Sequence, residues 1–180
     1  MDIVALSGSV SNKSYNTALL NAISQLSPDH INVTVLESLQ NIPTFSPDIE
    51  DQLMPELVAS FIDKIRRADG LIICAPEYAH GISGVLKNAL DWMVSSDALV
   101  LKPVVIMTVS TSGLGGVRAF SSLVQILSAM NSHVVIDASL CIPYAKLKFD
   151  DSLNLVDEIT IKAIDVSLLS LERTIDQRNA

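Results

Sequence analysis

Two hydrophobic periods alternate along this chain, and that alternation restricts its fold more than any other feature. Short runs rich in Val and Ile lie at residues 3–6, 31–36, 71–75, 104–109 and 133–136. Most are apolar at nearly every position and end at Gly, Ser, Pro or Asp. Such runs have no polar face to give to water, so they read as parallel strands covered on both sides. Between them, apolar residues recur every three to four positions, the period of a helix with one buried stripe. Strand and helix alternate five times, which predicts an α/β fold: an open, doubly wound, five-stranded parallel sheet. No repeat, linker or low-complexity segment interrupts the pattern, so residues 1–180 are read as a single domain.

The helix candidates have recognisable ends. One follows Asn16 and stops at Ser27-Pro28. The next opens at Met54-Pro55, where the missing proline N–H costs nothing, carries Leu57, Val58, Phe61, Ile62 and Ile65, and ends at Gly70. A third spans residues 84–93. A fourth, after Gly116, sets Val117, Phe120, Val124 and Leu127 in one stripe. The last covers about residues 155–177, with Asp157 and Glu158 near the positive end of its dipole. One piece, residues 38–53 with Pro43 and Pro47, reads as irregular and is longer than an ordinary connection, which marks it as functional or interfacial.

Composition removes several functional classes. Hydrophobic residues make up 49% and charged residues 18%, which excludes a largely disordered chain. Twelve Lys and Arg against 20 Asp and Glu give a net charge of −8, the wrong sign for a general nucleic-acid binder. The least charged long stretch, 119–136, is broken by Ser, Gln, Asn and His and does not read as a membrane span. The N-terminus has no basic region of the kind that opens a signal peptide. Cys74 and Cys141 lie far apart in apolar contexts and read as buried thiols in a reducing cytosol. The apolar excess points to strands buried on both faces and to a subunit interface.

In a doubly wound sheet the ligand crevice lies beyond the carboxyl ends of the strands. After the first strand comes SGSVSNKSYNT, residues 7–17, with Ser9, Ser11, Asn12, Ser14, Asn16, Thr17 and one cation, Lys13. It is neither a GxGxxG fingerprint nor a Walker A loop. Hydroxyls, amides and a helix N-terminus can hold a phosphate there; a plain loop with an N-cap at Ser14 or Asn16 is the competing reading. After the third strand, Pro76, Glu77, Tyr78 and His80 are crowded together. His80 fits a solvated loop position or a site residue, and Trp92 fits packing. Lys87 and Asp91, four apart, fit a helix pair at a surface or subunit contact. After the fourth strand, Gly113, Gly115 and Gly116 precede a helix, where three glycines favour a flat ligand lying against backbone.

Together these motifs resemble the NADPH-dependent FMN reductase family of flavodoxin-like proteins. GSVSNKSYN at 8–16 is similar to the family's GSxRxxSxN loop at Gly8, Ser9, Ser14 and Asn16. PEYAHGISGVLKNALDW at 76–92 resembles PEYNxSxPGxLKNxxDW, and STSGLGGVRA at 110–119 resembles the family's glycine-rich third loop. Ser11 stands at the family's arginine, so the cation is Lys13 or the phosphate rests on hydroxyls and amides. Ala79 stands at the family's Asn, and Gly81 and Ser83 at its Ser and Pro.

The resemblance implies a flavodoxin-like sheet in strand order 2-1-3-4-5. It implies an enzyme that passes hydride from NADPH or NADH to bound FMN and on to a small acceptor: a flavin, quinone, azo compound or metal oxyanion. It implies a homodimer or dimer of dimers, in the cytoplasm, with no nucleic-acid or membrane partner. The cofactor chemistry asks for no catalytic side chain and no metal. The implied FMN contacts are Ser9, Ser11, Lys13, Ser14, Tyr15 and Asn16 at the phosphate; Pro76, Glu77, Tyr78, Ala79 and His80 at the ring; and Ser110, Gly113, Gly115 and Gly116 along the third loop. Residues 76–92 are expected at or near the subunit interface. An FMN electron carrier without enzyme activity and a flavin-free regulatory module on the same scaffold are the alternatives.

Overall fold

The computed structural model describes residues 1–52 and 54–179. The strands are β1 (Asp2–Ser7), β2 (Asn32–Val35), β3 (Gly70–Ala75), β4 (Pro103–Val109), β5 (His133–Val134) and β6 (Leu140–Ile142). The helices are α1 (Tyr15–Leu26), α2 (Pro47–Gln52), α3 (Glu56–Arg67), α4 (Gly84–Asp91), α5 (Val117–Ala129) and α6 (Glu158–Asn179). All pairings between these strands are parallel, in the order β2-β1-β3-β4-β5, with β6 also against β4. This is the flavodoxin-like arrangement.

Successive strand residues face opposite sides, and the two cores follow that alternation. Ile3, Ala5, Ile72, Cys74, Val105 and Met107 pack with Leu19, Leu20 and Ile23 of α1 and with Ile164, Leu168, Leu171 and Ile175 of α6. Val4, Leu6, Leu71, Ile73, Val104 and Ile106 pack with α3, α4 and α5 on the other face. Every residue of β3 and β4 is buried. Burying a Val, Leu or Ile side chain contributes about 1.5–3 kcal/mol, so these two strands anchor both layers.

Several elements differ from the sequence expectation. The fifth strand is broken: only His133 and Val134 pair, opposite Pro103 and Val104. Ser139 is the cause, because its hydroxyl accepts the Ile106 N–H at 3.0 Å and donates to the Val135 carbonyl at 2.8 Å, filling a ladder position with a side chain. The chain turns through Ile136–Ala138 and returns as β6 opposite Met107, Thr108 and Val109. The expected irregular piece at 38–53 holds a 3-10 turn, Leu39–Asn41, and helix α2, whose Pro47, Asp48 and Glu50 suit a helix start; Leu53 lies outside the described residues. Helix α3 ends at Arg67, before Gly70, where the buried Lys102 ammonium donates to the carbonyls of Arg66 and Ala68. Helix α4 stops at Asp91 rather than 93, and α6 begins at Glu158 rather than 155. Cys141 is exposed, because β6 is a short edge strand.

Trp92, as expected of a packing residue, and Met93 beside it are buried within the chain. The Trp92 indole N–H donates to the Pro43 carbonyl at 2.7 Å and its ring meets Phe45 edge-on at 5.1 Å. Asn88 donates to the same carbonyl and accepts the Phe45 N–H at 2.8 Å, so α4 holds the Pro43 segment on its outer side. Among the described residues, no helix is long and apolar enough to cross a membrane.

Asp157 sets the start of α6. Its carboxylate accepts from the Lys148 ammonium at 2.8 Å, the Thr160 hydroxyl at 2.5 Å and the Thr160 N–H at 2.9 Å. The Lys148 hydrogen bond, then that of Thr160, lowers its pKa to about 2. A depressed carboxylate stabilises the fold above its unfolded pKa and loses that contribution as pH falls toward the folded value. Asp157→Ala is expected to cost about 1 kcal/mol at neutral pH and to flatten the fall of stability between pH 4 and 2. Urea unfolding across that range checks it; an unchanged pH slope would contradict it.

Candidate functional site

Because β1, β3 and β4 are adjacent and parallel, the three loops that follow them leave from one edge of the sheet. Residues 8–16, 76–83 and 110–116 therefore meet, and hydrogen bonds tie them in pairs. The Gly8 N–H donates to the Cys74 carbonyl at 2.8 Å, and the buried Ser83 hydroxyl donates to the Gly8 carbonyl at 2.5 Å. Ser83 also accepts the Leu86 N–H at 3.3 Å, capping α4. One hydroxyl thus joins the first loop to the second.

Asn16 joins the first loop to the third. It is buried, its Oδ1 accepts the Val109 N–H at 3.3 Å, and its Nδ2 donates to the Val109 carbonyl at 3.5 Å. The Cys74 thiol donates to the same Oδ1 at 3.2 Å, and burial pushes that thiol far above its usual range, keeping it protonated. The Asn16 side chain is thus tied to the ends of β3 and β4.

Glu77 joins the second loop to the third. Its carboxylate accepts the Arg118 N–H at 3.0 Å and the Ala119 N–H at 3.4 Å, and pairs with the Arg118 guanidinium at 3.4 Å. Desolvation raises its pKa, but those donors and the Arg118 charge outweigh it and hold the carboxyl below its ordinary value. Gly116 at the N-cap of α5 offers no side chain, so Glu77 caps that helix from 41 residues away. No local sequence signal announces this contact. Beyond it, Tyr78 and Gly81 exchange backbone hydrogen bonds at 3.0 and 2.9 Å. Ala79 and His80 between them take φ of +48° and +66°, a two-residue turn rarely made without Gly or Asn. Pro76 is buried, whereas Tyr78, Ala79 and His80 are exposed.

In the first loop Ser9 and Ser14 are buried, while Ser11, Asn12 and Lys13 are exposed. The Ser9 hydroxyl accepts the Ser11 N–H at 3.3 Å, and Ser14 caps α1 by accepting the Thr17 N–H at 3.3 Å. The Tyr15 ring packs on Phe149 at 5.3 Å.

The glycines of the third loop answer to protein neighbours. A Cβ on Gly115 (φ +61°) would lie 3.0 Å from the Cys141 backbone, and one on Gly116 (φ +84°) 3.0 Å from Thr108. The Thr108 hydroxyl donates to the Gly115 carbonyl at 2.6 Å. A Cβ on Gly113 would sit 2.6 Å from the Tyr144 hydroxyl oxygen. The three glycines are accounted for by these close approaches, so they do not by themselves call for a flat ligand. Ser110, half-buried, bonds Ser112 through its hydroxyl at 3.0 Å.

Two further concavities lie along α1. A cleft of about 340 Å³ runs from Asn12 and Ser14 past Asn21 and Gln25 to Asn154, and a neighbouring groove holds Lys13, Tyr15, Lys146 and Phe149. Each borders the first loop, and neither reaches the second or third.

This layout matches known proteins in sequence and in fold. The family model for NADPH-dependent FMN reductases matches residues 1–146. A quinone reductase of Escherichia coli is 33% identical over 138 residues, covering 75% of this chain and 73% of the relative. An NAD(P)H-dependent FMN reductase of Pseudomonas aeruginosa is 31% identical over 172 residues, covering 94% and 92%. Among solved structures, the flavoenzyme NAD(P)H:(acceptor) oxidoreductase of Paracoccus denitrificans superposes with a TM-score of 0.86 over 98% of this chain and 97% of its own, at 20% identity, a likeness of fold. The chain is an NAD(P)H-dependent oxidoreductase that works with FMN, and it belongs to the NADPH-dependent FMN reductase family.

Proposed function

We propose that the three tied loops hold FMN and that the chain, as one domain over residues 1–180, passes reducing equivalents from NAD(P)H to a flavin, quinone or similar small acceptor. The observation that carries this reading is the pairwise tying by Ser83, Asn16 and Glu77, which fixes all three loops before a ligand arrives. The donor set fits a terminal phosphate: hydroxyls of Ser9, Ser11 and Ser14, the Lys13 ammonium, and the first turn of a 12-residue helix, where N–H groups lack partners within the helix. Asn16 serves that loop by holding it to β4, and Tyr15 by anchoring it on Phe149. Pro76, Tyr78, Ala79 and His80 offer one wall for the ring, with Glu77 fastening that wall to α5. The backbone of Ser110, Gly113, Gly115 and Gly116 offers the other.

Bound FMN supplies the hydride chemistry. The chain's part is to bind the phosphate, orient the ring and present backbone donors where charge develops. The purified protein is expected to be yellow, to release FMN on denaturation and to lose its flavin absorbance on anaerobic addition of NADPH. Bleaching without a partner reductase separates this reading from an electron carrier. Protein that takes up no FMN, or whose flavin NADPH leaves oxidised, contradicts it.

The proposal extends to assembly. Val94, Val100 and Leu101, in the segment after α4, are exposed apolar residues that support a self-interface near that helix. The i,i+4 ion pair of Lys87 and Asp91 lies on the same helix. A homodimer or dimer of dimers gives twice or four times the chain mass by light scattering at micromolar concentration; an active monomer refutes it. A cytoplasmic location belongs to the same reading and is checked by cell fractionation.

A further inference from the structure

Tyr144, which the cofactor reading leaves unused, has three unusual properties together. Its φ is +53°, a left-handed conformation that bulky residues seldom adopt. Its side chain lies on the third loop, with the hydroxyl oxygen 2.6 Å and Cζ 3.0 Å from where a Cβ on residue 113 would stand. It is 54% exposed, so burial returns only part of what the backbone conformation costs. The backbone is held in place from both sides. Tyr144 N–H donates to the Ser112 carbonyl at 3.2 Å, Ala145 N–H to the Ser110 carbonyl at 3.0 Å, and Ser110 N–H to the Ile142 carbonyl at 3.0 Å.

Strained residues persist where surrounding structure enforces them, and they concentrate at ligand sites. Here the enforcing structure is the loop that the cofactor reading gives to the ring. We propose that Tyr144 is a positioning residue for the flavin: its phenol ring, laid on Gly113, fixes the shape of the 110–113 backbone that takes the ring. The inference rests on the FMN reading above. Gly113 itself is not in the left-handed region, so the phenol ring is what a side chain at 113 would meet.

The test is FMN titration of apoprotein by flavin fluorescence, with a thermal melt of each apoprotein beside it. Tyr144→Asn suits the left-handed backbone, because Asn tolerates it, and removes the ring. Its apoprotein is expected to melt no lower than wild type while its FMN dissociation constant rises about tenfold, the scale of a small misplacement in a tight site. Tyr144→Phe keeps the ring and is expected to bind within about threefold of wild type, as a purely steric prop should.

Gly113→Ala keeps the experiment decisive if Tyr144→Asn melts lower. The added methyl is expected to weaken FMN binding beside Tyr144 and to change little in the Tyr144→Asn background, since directly contacting residues couple. Wild type that binds FMN while Tyr144→Asn binds equally well overturns the role of Tyr144 and leaves the FMN reading standing. So does equal weakening by Gly113→Ala in both backgrounds. Wild type that fails to bind FMN overturns both.

Discussion

The parallel pairing of β3 between β1 and β4 is the constraint on which the rest of this structure depends. Leu71 sits opposite Val4 on one side and Val104 on the other, and every residue of β3 is buried. Parallel neighbours end on the same edge, so the three loops that follow them are delivered to one place by the sheet itself. An antiparallel strand in the middle would have sent one loop to the far side. The apolar period that makes these strands cohere is therefore also what assembles the crevice.

Bringing three polar loops to one edge creates a problem of unsatisfied groups, and long-range side chains solve it. Asn16 satisfies both backbone groups of Val109 and accepts a hydrogen bond from the Cys74 thiol. Glu77 answers the free N–H groups at the start of α5, and Ser83 serves α4 and Gly8 together. A buried donor or acceptor left without a partner costs about 1–3 kcal/mol, so each tie matters to stability as well as to shape. A site made of loops gains rigidity this way, and rigidity lets a crevice bind without first ordering itself.

Much of this could be read in the sequence because the signals are local. Runs such as VVIMTV need burial on both faces wherever they lie, and Ser14, three residues before Thr17, carries its capping role in its spacing. The ties are different. Asn16 and Val109 are 93 residues apart and Glu77 and Arg118 are 41 apart, so no window along the chain contains either pair. The same holds for the break in the fifth strand, where a Ser139 hydroxyl replaces a backbone group of β5 against Ile106. The glycines of the third loop illustrate the opposite risk: their type was legible, but their reason lay in Cys141, Thr108 and Tyr144. Cys141 looked buried from its apolar neighbours, whereas a three-residue edge strand leaves it in solvent.

In the proposed function the three tied loops, and not the clefts along α1, receive the flavin. Backbone amide chemical shifts of the isotope-labelled apoprotein, followed as FMN is added, test it residue by residue. The largest changes are expected at residues 9–16, 77–80 and 110–116, with Asn21, Gln25 and Asn154 in the α1 cleft unmoved. Changes confined to that cleft and to the groove of Lys146 and Phe149, with residues 77–80 and 110–116 silent, would overturn the proposal.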